Sequence, residues 1–173
     1  MGRTKKVSDA EIFAAIRKLL AAGGEKAVAF ASVARATGLA GPTLVQRFGS
    51  RATMMLAAQL AAWDALDAAT ATAVAGSDLS TKGAQTLLKS LADGQAASVD
   101  LALLCMDQRD AQLRQRAKAW RTSVEVTLGL QLGGGAKGRE AAAILFAAWQ
   151  GQLLWNGAGG KAFKIKDAIK LLT

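Results

Sequence analysis

Three side chains that could make specific hydrogen bonds lie close together in the segment 41–47, GPTLVQR. Thr43, Gln46 and Arg47 follow one another at intervals of three residues and one, which places them on the same side of a short helix. Hydroxyl, amide and guanidinium groups bind base edges and phosphates through hydrogen bonds. The segment therefore predicts recognition of a nucleic acid by a protruding helix.

Catalytic chemistry, in contrast, lacks most of its usual side chains. The sequence has no histidine, no tyrosine and a single cysteine, Cys105. These absences exclude metal sites built on His or Cys, Ser-His-Asp triads and Cys-His nucleophiles, and the carboxylates form no paired constellation. We expect no catalytic residue, no metal and no cofactor. Cys105 lies in the apolar run LALLCM and is expected to be a buried small side chain, with a redox thiol as the alternative.

The candidate recognition residues require a scaffold of two helices joined by a tight turn. The pattern predicts one helix from Phe30 to Thr37, a turn at Gly38 and a second helix from Gly41 to Gly49. The second helix has barely two turns, so its apolar residues Leu44, Val45 and Phe48 are expected to dock on neighbouring helices. Ala29 and Ala40 occupy the N-cap positions, where the absence of a capping side chain costs each helix about 1 kcal/mol.

The segment 38–51, GLAGPTLVQRFGSR, resembles the core pattern of the TetR (tetracycline repressor-like) family, Gly-Val-Ser-x-x-Thr-Leu-Tyr-x-His-Phe-x-x-Lys. Gly38, Thr43, Leu44 and Phe48 match this pattern. Ala40, Val45 and Arg47 stand where the family usually has Ser, Tyr and His. Val45 removes a hydroxyl that could contact phosphate, and Arg47 is the candidate replacement. The resemblance covers roughly the first 65 residues.

Basic residues are concentrated at the same end of the chain. The net charge is +9, and residues 1–51 carry nine Lys or Arg against three Asp or Glu. Phosphate neutralisation favours such a segment as the DNA-binding end, although a solubilising basic surface is the alternative. Residues 1–7 form a basic arm. The predicted DNA-binding residues are Lys5, Lys6, Gly41, Pro42, Thr43, Gln46, Arg47 and Arg51.

The remaining sequence indicates an all-α protein of about nine helices. Ser8 and Glu11 predict a capping box for a first helix that ends at Gly23-Gly24, and Ser50 starts a fourth helix that ends near Ala75. Further helices are predicted over 79–92, 97–106, 110–132, 139–155 and 161–172. We expect a helix-turn-helix DNA-binding domain over residues 1–50 and a helical effector-binding and dimerisation domain over residues 51–173.

The resemblance implies that the second domain binds a small molecule and forms a homodimer through its last two helices. The candidate lining of an apolar effector pocket is Trp63, Leu103, Met106 and Trp120, although a plain core position is favoured for each of them. The expected dimer residues are Ile144, Ala148, Gly151, Trp155, Ile165 and Ile169. An intramolecular core is the alternative for these helices.

The patterns, together with what the resemblance implies, predict a cytoplasmic, dimeric transcriptional repressor that binds a double-stranded DNA operator and is released by a small, largely apolar effector. The alternative is a helical protein-interaction module in which the helix-turn-helix serves only for packing. The uncharged run 141–160 is long enough for a membrane check, but its glutamines, asparagine and glycines favour a helix buried against protein.

Overall fold

The computed structural model describes residues 7–93, 110–155, 158–159 and 162–173. Within these ranges the chain forms eight α-helices and one short 3-10 helix, and it contains no strand, as the all-α prediction required. The helices are α1 (Asp9–Gly23), α2 (Phe30–Thr37), α3 (Gly41–Phe48), α4 (Arg51–Ala75), α5 (Thr81–Asp93), α6 (Ala111–Gln131), α7 (Gly135–Trp155) and α8 (Ile165–Leu172), with the 3-10 turn at Glu25–Ala27.

Two compact units share the helices, Met1–Asp64 and Ala65–Thr173, and their boundary lies inside α4. The predicted domain boundary after residue 50 lies at the start of α4. The division into a DNA-binding domain and an effector-binding and dimerisation domain stays a prediction.

Local signals define the beginning and end of α1. The Glu11 backbone N–H donates to Ser8 Oγ (3.3 Å), and the Ser8 N–H donates to Glu11 Oε2 (2.8 Å), which is the predicted capping box. The helix ends at Gly24, whose N–H donates to the Leu20 carbonyl (2.8 Å). The first helix is thus confirmed at both ends.

The turn after α2 depends on a left-handed glycine. Gly38 has φ 74° and ψ 12°, and its N–H donates to the Ala34 carbonyl (2.8 Å). A residue with a Cβ is strained in this conformation, so Gly38 ends α2 and redirects the chain toward α3. The missing cap at Ala29 is partly replaced, because Ser32 Oγ accepts the Ala29 N–H (2.9 Å).

The core of the first unit holds α1, α2, α3 and the start of α4 together. It consists of the buried residues Val7, Ile12, Ile16, Val28, Val33, Leu44, Met54, Met55 and Ala58. Phe13 and Phe48 lie beside it with ring centroids 6.0 Å apart. Because α3 is too short to be stable alone, Leu44 and Phe48 supply the tertiary contacts that keep it helical.

In the second unit, α6 and α7 pack closely as neighbours. A Cβ added to Gly138 would lie 2.6 Å from the carbonyl oxygen of Gly129, a distance that real Cβ atoms do not reach. The aromatic rings of Trp120, Phe146 and Trp149 follow one another at centroid distances of 5.7 and 5.9 Å. The three side chains are large and buried, so they fill much of the interior of the unit.

Three predicted helix starts needed correction by two to four residues. The structure starts α5 at Thr81, α7 at Gly135 and α8 at Ile165, where the sequence predicted 79, 139 and 161. At α5, Ser80 Oγ accepts the Gly83 N–H (3.1 Å), so Ser80 caps the helix. The helix predicted over 97–106, and Cys105 within it, lie outside the described residues.

Candidate nucleic-acid interface

The outer face of α3 presents the polar residues that the sequence singled out. Thr43, Gln46 and Arg47 are exposed, whereas Leu44 between them is fully buried. Pro42 is also exposed in the first turn, and Gly41 is half-buried. The Leu44 anchor therefore fixes the helix to the core while its hydrogen-bonding face stays accessible.

Val45 is an exception to the predicted docking of α3. Its side chain is 46% exposed, so it belongs to the outer face and was wrongly expected to be buried. An apolar side chain therefore lies beside the exposed polar residues of α3. Helical spacing alone gave no signal for this, since Val45 is adjacent in sequence to a buried leucine.

Arg47 reaches back to the N-terminal end of the unit. Its Nε lies 2.7 Å from Asp9 Oδ1, and its NH1 donates to the Val7 carbonyl oxygen (3.0 Å). The side chains of Arg47 and Asp9 are 36% and 54% exposed, so solvent screens the ion pair. Two donors of the guanidinium are thus engaged within the protein.

Arg51 makes a comparable contact at the start of α4. Its guanidinium donates to the backbone carbonyls of Val28 and Glu25, at the two ends of the 3-10 turn. These bonds hold the turn between α1 and α2 against α4. The predicted phosphate contact of Arg51 stays a prediction. Lys5 and Lys6 lie outside the described residues.

The predicted effector residues divide between the two units. Trp63 is buried in the first unit. Trp120 is buried in the second, where its Nε1 donates to Thr70 Oγ1 (2.8 Å). Leu103 and Met106 lie outside the described residues. The hydrogen bond to Thr70 satisfies the only polar atom of the Trp120 side chain, which therefore offers a ligand apolar contact alone.

Trp149 is a candidate effector contact that sequence reasoning missed. It is 2% exposed, and its indole N–H has no hydrogen-bond partner in the described part of the chain. A buried donor without a partner is unfavourable, and an acceptor that reached it would recover part of that free energy. An apolar helix containing a tryptophan gives no sequence signal for such a donor.

The predicted dimer residues lie partly on an open apolar face of α7. Ile144 is 56% exposed and Trp155 is 67% exposed, and Ala148 is exposed between them. Gly151 is half-buried with open space around it. On α8, Ile165 is half-buried and Ile169 is buried, so Ile169 already packs within the chain.

Within the described residues, no group of three or more His, Cys, Asp or Glu side chains is placed to hold a metal ion. Over the same residues, every helix is too short or too polar to cross a membrane.

No protein-family model matches the sequence, and no curated protein sequence matches it. Solved structures do match. A TetR-like transcriptional regulator from Rhodococcus sp. RHA1 superposes with a TM-score of 0.73 at 14% identity, covering 98% of this chain and 96% of that chain. The chain has the TetR-like fold. The match extends over both compact units, well beyond the helix-turn-helix segment that carried the resemblance in sequence.

Two further structures show the same TetR-like fold. A transcriptional regulator from Rhodococcus sp. Rha1 gives a TM-score of 0.75 at 18% identity, with 96% of this chain and 94% of that chain covered. The multidrug binding protein EbrR, complexed with malachite green, gives 0.68 at 18% identity, with 96% of each chain covered. One fold can support many functions, which depend on the residues of the site.

Proposed function

We propose that this protein is a dimeric DNA-binding transcriptional regulator, and specifically a repressor that a small effector releases from its operator. The observation that carries the proposal is the exposed face of α3, where Thr43 and Gln46 stand outward above the buried Leu44. The likeness to structures titled transcriptional regulators supports it. The function includes no catalytic step, and a protein with this function is expected in the cytoplasm.

On the DNA side, α3 enters the major groove. Thr43 and Gln46 hydrogen-bond to base edges, and Val45 contacts a thymine methyl group. Gly41 and Pro42 bring the start of the helix close to the DNA backbone, where helix N-termini bind phosphate. The excess of basic residues in the first 51 positions supplies the sequence-independent part of the affinity.

A dimer presents two such helices. The exposed apolar face of α7, with Ile144 and Trp155 at its ends and small residues between them, supports the predicted homodimer interface. Two-fold symmetry then places the recognition helices about one DNA turn apart, roughly 34–36 Å, or a multiple of that. An effector that favours another spacing weakens operator binding by shifting the population of dimers.

The effector is an aromatic or apolar molecule that carries a hydrogen-bond acceptor. The ring series Trp120, Phe146 and Trp149 supports the apolar part, and the unpartnered indole N–H of Trp149 supports the acceptor. EbrR, which shares the fold, is complexed with malachite green, an aromatic dye. A site of this composition gains affinity from ring contact and orientation from one polar group.

The proposed hydrogen bond from the Trp149 indole N–H to an acceptor on the effector is tested by replacing Trp149 with Phe. This change removes the donor and keeps an aromatic ring. We expect Trp149→Phe to bind an acceptor-bearing aromatic ligand about 5- to 10-fold more weakly, because one buried hydrogen bond is lost. The affinity for a matched ligand without the acceptor should not fall. Calorimetric titration of both proteins with naphthol and naphthalene measures the difference, and equal losses for both ligands would contradict the assignment.

The decisive experiment for the whole proposal is fluorescence-anisotropy titration on the DNA beside the protein's own gene, against scrambled DNA, at two salt concentrations. A preference of about 10³-fold or more over scrambled DNA is expected of a specific regulator. Weak, sequence-blind binding at that DNA and in a selection from random duplexes would contradict the proposal. It would favour the interaction module, in which the helix-turn-helix serves only for packing. In that case Arg47 and Arg51 would serve only the contacts that they make within the protein.

A further inference from the structure

The contact of Arg47 with the N-terminal end of the first unit joins two segments that are far apart in sequence. The hydrogen bond to the Val7 carbonyl spans 40 residues. The ion pair with Asp9 ties the same guanidinium to the first turn of α1. One side chain of the proposed recognition helix therefore holds both the backbone before α1 and the start of α1 itself.

Val7 is a firm point of attachment. It is 5% exposed and belongs to the core of the first unit, so its side chain and its carbonyl are both fixed. The basic arm joins the chain at this residue. Lys5 and Lys6 directly precede Val7 in the sequence.

We propose that Arg47 is a positioning residue for DNA binding: it anchors the root of the N-terminal arm beside the recognition helix and does not read a base. This inference rests on the proposed function. With the root anchored, the arm loses less conformational entropy when its lysines meet phosphates, so the arm and α3 act on DNA together.

The alternative role is a surface ion pair that only stabilises the unit. It predicts that replacing Arg47 lowers the free energy of unfolding only slightly. Exposed ion pairs contribute little to stability because solvent screens them and ordering the side chains opposes them. The contact with Val7 adds what an ion pair lacks, since it fixes backbone at the one residue where the arm begins. The two roles therefore differ in what happens to the arm when Arg47 is removed.

Proteolysis of the protein alone tests the anchor. We expect a lysine-specific protease to cut the Lys6–Val7 bond only when Val7 leaves the core. Every protein compared also carries Lys5→Ala, so that Lys6 is the one lysine of the arm at which the protease can cut. We expect Arg47→Ala to release the fragment that begins at Val7 about 5-fold faster or more, since a lost contact to a charged donor raises local opening. Arg35→Ala, a change of another exposed arginine in the same unit, is the matched control. Equal cleavage rates in the Arg47 variant and the control would overturn the anchor.

A double-mutant cycle tests the consequence for DNA. On a 30-base-pair duplex, Arg47→Ala should weaken binding about 5- to 10-fold when the arm is intact, and less than about 2-fold when Lys5 and Lys6 are both alanine, because the anchor then has no charge to position. Equal losses in both backgrounds would mean that Arg47 acts on DNA directly and would overturn the proposal. Arg47→Lys keeps the charge without the two-pronged contact, so it should behave like Arg47→Ala, and rescue by lysine would indicate a direct phosphate contact.

The two experiments separate this inference from the proposed function. If the wild-type protein binds no duplex, the regulator proposal fails, while faster cleavage in Arg47→Ala would still show the anchor. Thermal unfolding followed by circular dichroism confirms that each variant is folded at the assay temperature.

Discussion

At the residue scale, the outer face of α3 combines exposed polar groups, which we propose distinguish bases, with an arginine that is bonded within the protein. Thr43 and Gln46 project outward without a role in the core, so they are available for base contacts. Arg47 and Arg51 are bonded to backbone carbonyls that belong to other segments of the unit. We therefore propose that the uncharged side chains contact the bases, while the arginines hold neighbouring segments of the unit in place.

The base-reading role of Gln46 can be separated from general affinity. We expect Gln46→Ala to lower operator affinity about 10-fold with little change for scrambled DNA or in the salt dependence, because a base contact is lost and no phosphate contact changes. Anisotropy titrations over a salt series measure both quantities. Gln115→Ala, an exposed glutamine of α6, is the matched control and should leave operator binding unchanged. A parallel loss on scrambled DNA would contradict base reading.

Arg51 gives a second test at this scale. We expect Arg51→Ala to lower the free energy of unfolding by about 1 kcal/mol, because the carbonyls of Val28 and Glu25 lose a charged donor. Chemical denaturation measures this change, with Arg35→Ala as the control that should unfold like the wild type. An unchanged stability together with a salt slope lowered by about one would instead support the phosphate contact predicted from the sequence.

At the element scale, the first unit depends on short helices with clear ends and the second on closely packed long ones. α3 has eight residues and is held by Leu44 and Phe48, whereas α6 and α7 have 21 residues each. The long pair comes close where Gly129 faces Gly138. There is no room for a Cβ on Gly138, whereas a Cβ on Gly129 would meet only ordinary contacts, with the Gly138 carbonyl oxygen at 3.6 Å.

Gly138→Ala tests the close approach of α6 and α7. The new Cβ would lie 2.6 Å from the Gly129 carbonyl oxygen, so the helices must move apart. We expect a loss of about 1–3 kcal/mol in the free energy of unfolding, despite the better helix propensity of alanine. Denaturant unfolding at equilibrium provides the measurement, and a more stable variant would show that the two helices are not in contact there.

At the scale of the whole molecule, the proposed regulator needs a second copy of the chain. The exposed apolar face of α7 leaves Ile144 and Trp155 in water in a single chain, which is unfavourable for side chains of this size. Dimerisation through this face would cover both residues.

A charge in this face should separate the subunits. We expect Ile144→Glu to raise the dimer dissociation constant about 100-fold or more, because two carboxylates would be buried across a two-fold axis. Sedimentation velocity over a concentration series measures the change. Leu79→Glu introduces the same charge at another apolar residue, 75% exposed outside the predicted interface, and should leave the dimer intact. A dimer that survives Ile144→Glu but not Leu79→Glu would place the interface elsewhere.

The sequence by itself determined the helices and the turn of the first unit, because their signals are local. Ser8 with Glu11, and Gly38, act on backbone groups within four residues, and the structure places each as predicted. The all-α fold and the outward position of Thr43 and Gln46 follow from the same short-range rules.

Only the tertiary structure decided where Arg47, Arg51, Val45 and Trp149 make or lack contacts. The partners of the two arginines lie 40 and 23 residues away, a distance over which helical spacing carries no information. The exposure of Val45 and the unpartnered donor of Trp149 depend on which neighbouring helices cover each side chain. Local sequence fixes the direction of a side chain on its helix, but the packing of other elements fixes what it meets.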